Sequence, residues 1–132
     1  RQHADRGGFH GHRAAVAGID QLFARNERVI CTFDGPGQMA LCMVGALFVG
    51  SMETVWHGAV APARERTLTE FDYREPGATR AFAKGEEMGR FNMGSTVILL
   101  FEEGRVEWDT DLGPGSEVWV GRRMGKLLNP NR

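Results

Sequence analysis

The chain has 132 residues, of which 42% are hydrophobic and 25% charged, with 16 basic against 17 acidic side chains. This length fits one domain with one modest core, and the composition excludes disordered and collagen-like chains. A formal net charge of −1 argues against a dedicated nucleic-acid-binding protein, which usually carries a basic excess. The 18 glycines indicate many turns and therefore favour β structure.

The setting of the protein is indicated by its apolar runs and its cysteines. The longest apolar run, residues 39–50, is shorter than the roughly 20 residues that a membrane-spanning helix needs. The polar start shows no secretory signal, and the chain begins with Arg, so we expect a fragment or a processed piece. Cys31 and Cys42 are too few for a disulfide scaffold and have apolar neighbours, which predicts core packing in a reducing, intracellular setting.

The N-terminal part of the chain contains a weak helical signal and then a strong hairpin signal. Residues 1–13 have neither helical nor strand period, which predicts a disordered start, and the apolar spacing over 16–23 predicts a short helix. Residues 29–33 and 39–49 are rich in strand formers and flank the turn sequence Asp-Gly-Pro-Gly. In the predicted hairpin Phe33 lies opposite Met39 and Cys31 opposite Leu41, the second strand is broken or bent at Gly45, and the cysteines lie on opposite faces.

The rest of the chain is predicted to form further strands and loops. We expect strands over 52–56, 96–101 and 118–120, a connection at 61–66, a long surface loop over 72–90, and a second hairpin joining 96–101 to 106–108. Together these elements predict a mostly β domain, a sandwich or partly closed barrel of antiparallel hairpins with a short N-terminal helix.

Titratable side chains provide little evidence for a metal site. The four histidines, His3, His10, His12 and His57, lack a third or fourth ligand on a rigid element, so no metal is expected. From residue 121 onward the tail carries Arg122, Arg123, Lys126 and Arg132 with no acid. Such a tail either contacts anionic lipid or only keeps the terminus soluble.

The triplet Gly94-Ser95-Thr96 precedes an apolar strand and has two interpretations. It can be a loop that caps a strand. Alternatively, because glycine allows unusual backbone angles and close approach, a neighbouring hydroxyl can attack its peptide carbonyl while the strand holds the reacting atoms.

Three segments favour the second interpretation. LFARNERVICTFD (residues 22–34), MVGALFVGSMETVW (43–56) and KGEEMGRFNMGSTVILLFEEGRV (84–106) closely resemble the C-terminal region of bacterial phosphatidylserine decarboxylases. They occur in the family's order with similar spacing and cover most of the chain. The resemblance implies that residues 14–132 are the C-terminal part of a catalytic domain with a β-rich core.

The resemblance also implies how such an enzyme is made and how it acts. A proenzyme cuts itself when Ser95 Oγ attacks the Gly94 carbonyl and forms an ester; elimination and hydrolysis then leave a pyruvoyl group at residue 95. The resulting β chain (1–94) and α chain (95–132) stay associated, and Thr96 supports the site. The pyruvoyl group is the covalent cofactor of this lyase: it forms a Schiff base with phosphatidylserine, which loses carbon dioxide and becomes phosphatidylethanolamine.

The family resemblance implies a membrane setting as well. Upstream helices, outside these 132 residues, engage the membrane surface, and the protein is peripheral on the cytoplasmic side of the bacterial cell membrane. Residues 39–49 are then a core strand and not a lipid contact. Apolar surface that the upstream part covers is expected to be exposed here.

One family feature is missing from this chain. Self-cleavage in the family depends on an upstream Asp and a His in a DYHRxH-type motif, whereas here Asp72-Tyr73 is followed by Arg74 and Glu75. We therefore expect this chain not to mature or turn over by itself. The alternatives are a non-catalytic fragment or pseudoenzyme, and a pyruvoyl decarboxylase for another serine-headed lipid.

Overall fold

The described parts of the chain form antiparallel sheets. The computed structural model describes residues 2–5, 21, 26–35, 37–45, 51–61, 67–75, 77, 80–92 and 96–128. The strands in these ranges are β1 (Gln2–Asp5), β2 (Arg28–Phe33), β3 (Met39–Val44), β4 (Met52–Thr54), β5 (Gly58–Ala61), β6 (Thr69–Phe71), β7 (Gly89–Phe91), β8 (Thr96–Phe101), β9 (Val106–Trp108) and β10 (Gly125–Leu127). They form sheets of order β6-β1-β2-β3-β8, β5-β4-β7 and β9-β10, so the mostly β prediction is confirmed.

The predicted hairpin is the centre of the five-stranded sheet. β2 and β3 pair with Phe33 opposite Met39 and Cys31 opposite Leu41, which is the predicted register. β3 ends at Val44, and the amide of Gly45 donates a hydrogen bond of 2.8 Å to the Glu27 carbonyl. β3 thus ends just before Gly45, and residues 46–49, the rest of the predicted strand, lie outside the described residues.

The N-terminal strand was not predicted. Residues 1–13 have no strand period, yet the backbone of Gln2–Asp5 pairs with both β2 and β6. Four residues are too few to show a period, and the neighbours that hold them are distant in sequence. The helix predicted over 16–23 falls on a stretch of which only Gln21 is described. Within the described ranges there is no helix that is long and apolar enough to cross a membrane.

In the three-stranded sheet, the backbones of β4 and β7 approach each other closely at Gly89. β4 ends at Thr54, two residues earlier than predicted, because residues 55–57 form a turn. The loop predicted over 72–90 ends in β7, which pairs with β4 and places Gly89 opposite Thr54. A β-carbon at Gly89 would lie 2.5 Å from the Glu53 carbonyl oxygen, so the close approach of the two strands requires glycine here.

The predicted second hairpin is wrong. A tight turn does follow β8, with the Arg105 amide donating to the Glu102 carbonyl at 3.2 Å, but β8 pairs with β3 while β9 pairs with β10. Residues 118–120 are also not a strand, because the segment that pairs with β9 is Gly125–Leu127. A strand signal in the sequence is realised only where a partner strand is available.

The core lies between the two larger sheets. The five-stranded sheet contributes Val29, Cys31 and Met43, and the three-stranded sheet contributes Met52 and Val60. By contrast, β8 is an edge strand in the described sheet, and its Val97, Ile98 and Leu100 side chains are exposed.

Both cysteines are free and buried, as predicted for core packing. The register puts Cys42 opposite Ile30, so Cys42 and Cys31 point to opposite faces of the sheet. Burial raises the pKa of the Cys31 thiol to about 12 and also raises the pKa of the Cys42 thiol.

Candidate active site

The candidate cleavage motif occupies the connection between two sheets. Gly94 and Ser95 lie outside the described residues, but Asn92 and Thr96 on either side are described. β7 belongs to the three-stranded sheet and β8 to the five-stranded one. A chain extends by at most about 3.6 Å per residue, so the short connection keeps the ends of these strands near each other.

Asn92 anchors the upstream end of the connection. Its backbone amide donates a hydrogen bond of 3.0 Å to the Ser51 carbonyl. Its side-chain Nδ2 donates to Ser51 Oγ and, at 3.0 Å, to Glu53 Oε1. Arg90 Nη2 donates to the other oxygen of the same carboxylate, Glu53 Oε2, at 3.1 Å. The residue two positions before Gly94 is therefore held to β4 by side chain and backbone.

The negative charge of Glu53 strengthens the hydrogen bonds that it accepts from Asn92 and Arg90. Hydrogen bonds from Asn92, followed by those from Arg90, lower the pKa of Glu53 below its ordinary value of 4.5. The carboxylate is ionised at neutral pH, and hydrogen bonds to an ionised acceptor are stronger than neutral ones. At neutral pH the ionised Glu53 carboxylate therefore accepts hydrogen bonds from both Asn92 and Arg90.

Thr96 anchors the downstream end. It is the first residue of β8 and pairs with Val44, which in turn pairs with Arg28 of β2. Because neighbouring strands are about 4.8 Å apart, the Arg28 backbone lies roughly 10 Å from Thr96. The side chain of Thr96 is exposed. A fixed backbone with an open side is a suitable support for a reacting group.

Two buried polar residues at this end of the sheet were missed by sequence reasoning. Asn26 and Glu27 precede β2 and are 1% and 7% exposed, and Arg28 Nη2 donates to the Asn26 carbonyl at 3.1 Å. Buried polar groups cost free energy unless they are hydrogen-bonded, which favours a specific structural role for this pair. The signal was available: both residues belong to the RNER sequence in the first segment that resembles the family.

The His57 side chain lies away from Asn92, the described residue that precedes the motif. His57 follows β4 beyond Thr54, at the end of the strand opposite to Asn92. There its Nδ1 forms a 2.6 Å hydrogen bond with Tyr73 OH, and its ring lies 4.3 Å from that of Phe71. His10 and His12 lie outside the described residues.

No group of three or more His, Cys, Asp or Glu side chains suited to a metal ion occurs within the described ranges. Asp72, next to Tyr73, forms an ion pair with Arg74, with Nε of Arg74 2.9 Å from Asp72 Oδ1.

A cavity of about 480 Å³ lies away from the motif. Its walls include Phe33, Met39 and Phe101, which are paired at the end of the sheet opposite to Thr96. Five strand steps of about 3.4 Å separate Phe101 from Thr96, so the cavity is roughly 17 Å from the start of β8. It is therefore a feature separate from the cleavage motif.

The sequence profile of one family matches nearly the whole chain. The profile, described as phosphatidylserine decarboxylase, covers residues 2–126. The chain belongs to the phosphatidylserine decarboxylase family. The match begins at residue 2 and so includes β1.

Curated relatives support this membership. The chain is 50% identical over 113 residues to the phosphatidylserine decarboxylase proenzyme of Methylococcus capsulatus, covering 85% of this chain and 38% of the relative. It is 50% identical over 122 residues to that of Stutzerimonas stutzeri, with 89% and 40% covered, and 51% identical over 117 residues to that of Methylibium petroleiphilum, with 88% and 41% covered. The chain thus spans about two fifths of the length of these decarboxylase relatives.

Proposed function

We propose that this chain is part of a self-cleaving phosphatidylserine decarboxylase, with Gly94–Ser95 as the cleaved bond and residue 95 as the reactive end. The observation that carries the proposal is the Gly-Ser-Thr motif within a chain about 50% identical to proteins named phosphatidylserine decarboxylase proenzymes. The whole protein converts phosphatidylserine into phosphatidylethanolamine and carbon dioxide, a step of phospholipid biosynthesis.

The residues around the motif are suited to intramolecular attack. Asn92, held by Ser51 and Glu53, restrains the segment before the bond, and Thr96, paired with Val44, restrains the segment after it. Holding a nucleophile and its target together converts a slow encounter into an intramolecular reaction. Ser95 Oγ attacks the Gly94 carbonyl carbon, the peptide nitrogen leaves as the amine of residue 95, and an ester forms. Elimination then releases the Gly94 carboxylate, and hydrolysis releases ammonia.

A pyruvoyl group at residue 95 fits the chain. This position directly precedes Thr96, whose backbone is fixed in the sheet and whose side chain is open to solvent. The group supplies a carbonyl that takes up the electron pair left when the carboxylate departs. The protein residues contribute by holding this strand end rigid and by leaving it open to the lipid headgroup.

The two products of cleavage are proposed to remain associated. The α chain (95–132) contains β8, which pairs with β3 of the β chain (1–94) over six residues from Val44–Thr96 to Met39–Phe101. The same proposal puts the whole protein at the cytoplasmic face of the bacterial cell membrane as a peripheral protein, since its substrate is a membrane lipid.

Mass spectrometry of two proteins tests the proposal. The first is the 132-residue chain, and the second is a chimera in which the upstream part of the Methylococcus capsulatus relative precedes residue 22. The chain alone is expected to keep a single mass, because it lacks the DYHRxH-type motif. The chimera is expected to split between Gly94 and Ser95, to give a C-terminal piece lighter by ammonia, and to release carbon dioxide from phosphatidylserine.

The controls separate the alternatives. Ser95→Ala in the chimera must keep a single mass, whereas Ser116→Ala, a serine in a distant turn, must still split. A folded chimera that does not split supports the non-catalytic alternative and overturns the proposal. A chimera that splits but acts only on another serine-headed lipid overturns the substrate assignment. Splitting of the chain alone would mean that it contains its own base.

A further inference from the structure

The loop between β9 and β10 exposes apolar side chains to solvent. The chain leaves β9 at Trp108 and returns at Gly125, and these two residues pair with each other. Residues 109–124 therefore project as one loop from the two-stranded ribbon. Val118 and Trp119 are 58% and 68% exposed, and Val120 is fully exposed. These three consecutive residues, the VWV tip, form an exposed apolar patch.

A turn fixes the shape of the VWV tip. The Arg122 amide donates a hydrogen bond of 3.0 Å to the Trp119 carbonyl, which closes a four-residue turn. Gly121, the third residue of this turn, has a φ of +83°, a conformation that glycine adopts without strain. Val120 therefore stands at the apex of a defined turn with Trp119 directly beside it.

Two exposed ion pairs link the end of this turn to the base of the loop. Arg122 Nη2 lies 3.0 Å from Asp111 Oδ2, and Arg123 Nη2 lies 2.7 Å from Asp109 Oδ1. The arginines that follow the VWV tip are thus largely neutralised by aspartates of the same loop. An attraction to anionic surfaces is weak under these conditions, and the apolar tip itself must supply the binding free energy.

The size and chemistry of the VWV tip fit a lipid surface better than a second protein. A stable protein interface buries about 800 Å² on each partner. A tryptophan contributes at most about 250 Å², and two valines contribute less, so the tip is too small for such an interface. Insertion into a bilayer needs only a few side chains, and tryptophan is enriched at the boundary between headgroups and acyl chains.

We propose that the VWV tip inserts into the interfacial region of a phospholipid bilayer and gives this chain a membrane contact of its own. The choice of a lipid partner rests on the proposed function, because a decarboxylase of a membrane lipid must bring its reactive end to the bilayer. The contact involves residues 118–120, apart from any upstream segment and apart from the cleavage motif.

Vesicle binding of the purified 132-residue chain tests the inference without any decarboxylation assay. The chain is expected to co-sediment with phosphatidylcholine vesicles, and added salt or phosphatidylserine is expected to change binding little. The double variant Val118→Ser/Val120→Ser is expected to bind about tenfold more weakly, since a tenfold change corresponds to about 1.4 kcal/mol. The control is Val55→Ser/Leu68→Ser, which removes two exposed apolar side chains elsewhere (55% and 68% exposed) and should bind like the parent.

Tryptophan fluorescence provides a second readout that does not depend on folding of the serine variants. Phospholipids with brominated acyl chains are expected to quench part of the emission of the chain. Trp119→Phe should abolish that quenched part, while Trp56 and Trp108 remain as internal reporters.

Several results would overturn the inference. They are no binding by the parent chain, equal loss of binding in the control variant, quenching that survives Trp119→Phe, or loss of the Trp119-dependent quenching in the chimera, whose upstream part would then cover the tip. A change from dimer to monomer in the Val118→Ser/Val120→Ser variant with unchanged vesicle binding would assign the tip to a second copy instead. Cleavage of the chimera is scored separately, so a failure here leaves the proposed function standing, and the reverse also holds.

Discussion

The side-chain amide of Asn92 donates a 3.0 Å hydrogen bond to Glu53 Oε1, and this contact joins residues 39 positions apart in the sequence. It ties the last described residue before the Gly94–Ser95 bond to the middle of β4. Arg90 reinforces it by donating to Glu53 Oε2 at 3.1 Å. The position of the candidate cleavage motif therefore depends on a small polar cluster that a local pattern does not reveal.

Removing the amide should weaken the end of the three-stranded sheet. We expect Asn92→Ala to lower the free energy of unfolding by about 1 kcal/mol, because its hydrogen bonds to Ser51 and Glu53 are lost together. Urea denaturation of the 132-residue chain measures the change. Thr110→Ala, at an exposed turn in another loop, is the control and should stay within about 0.5 kcal/mol. An effect of Asn92→Ala no larger than that of the control would contradict the anchoring role.

The Glu53 carboxylate should make stability depend on pH below its ordinary pKa. Its pKa is lower in the folded protein than in the unfolded chain, so its stabilising contribution is complete above about pH 4.5 and is lost as the pH falls through the folded-state value. Urea midpoints measured from pH 7 downward should fall for the parent chain and less for Glu53→Gln. Asn92→Ala, which removes the main donor, should lie between the two. Parallel curves for all three proteins would argue against this linkage.

Both thiols should be unreactive in the folded chain. Burial raises the pKa of Cys31 to about 12 and raises that of Cys42, so the reactive thiolate is scarce at pH 8. We expect a chromogenic disulfide reagent to titrate no thiol rapidly in native protein and two thiols in denaturant. Rapid modification of either cysteine at pH 8 without denaturant would show that the five-stranded sheet opens at low cost.

The contact between β4 and β7 should not tolerate a side chain at residue 89. A β-carbon there would approach the Glu53 carbonyl oxygen to 2.5 Å, and this oxygen belongs to the backbone and is not free to move aside. We expect Gly89→Ala to destabilise the chain by about 2 kcal/mol. Thermal unfolding compares it with Gly113→Ala, where a β-carbon meets no atom within 4 Å. Equal melting temperatures for the two variants would mean that β4 and β7 move apart at residue 89 without a loss of stability.

Local pattern alone was sufficient for the central hairpin and for the family. Strand-forming residues on both sides of Asp34-Gly35 determine the β2–β3 register, because each strand has its partner a few residues away. Three segments in the family's order, one of which contains Gly94-Ser95-Thr96, indicate the family for a similar reason, because each of them is a continuous stretch of sequence.

Only the tertiary structure decided which distant strands pair. Residues 118–120 have a sequence typical of a strand but do not pair with another strand. Gly125–Leu127, whose sequence is a weaker strand former, pairs with β9 instead. β8 pairs with β3 and not with β9, its neighbour in the sequence. Asn92 donates its side-chain hydrogen bond to Glu53 of β4. Three-residue strands carry too little local free energy to form alone, so their partners are chosen by the packing of the whole chain. The sequence by itself determined the hairpin and the motif, and the fold determined what surrounds them.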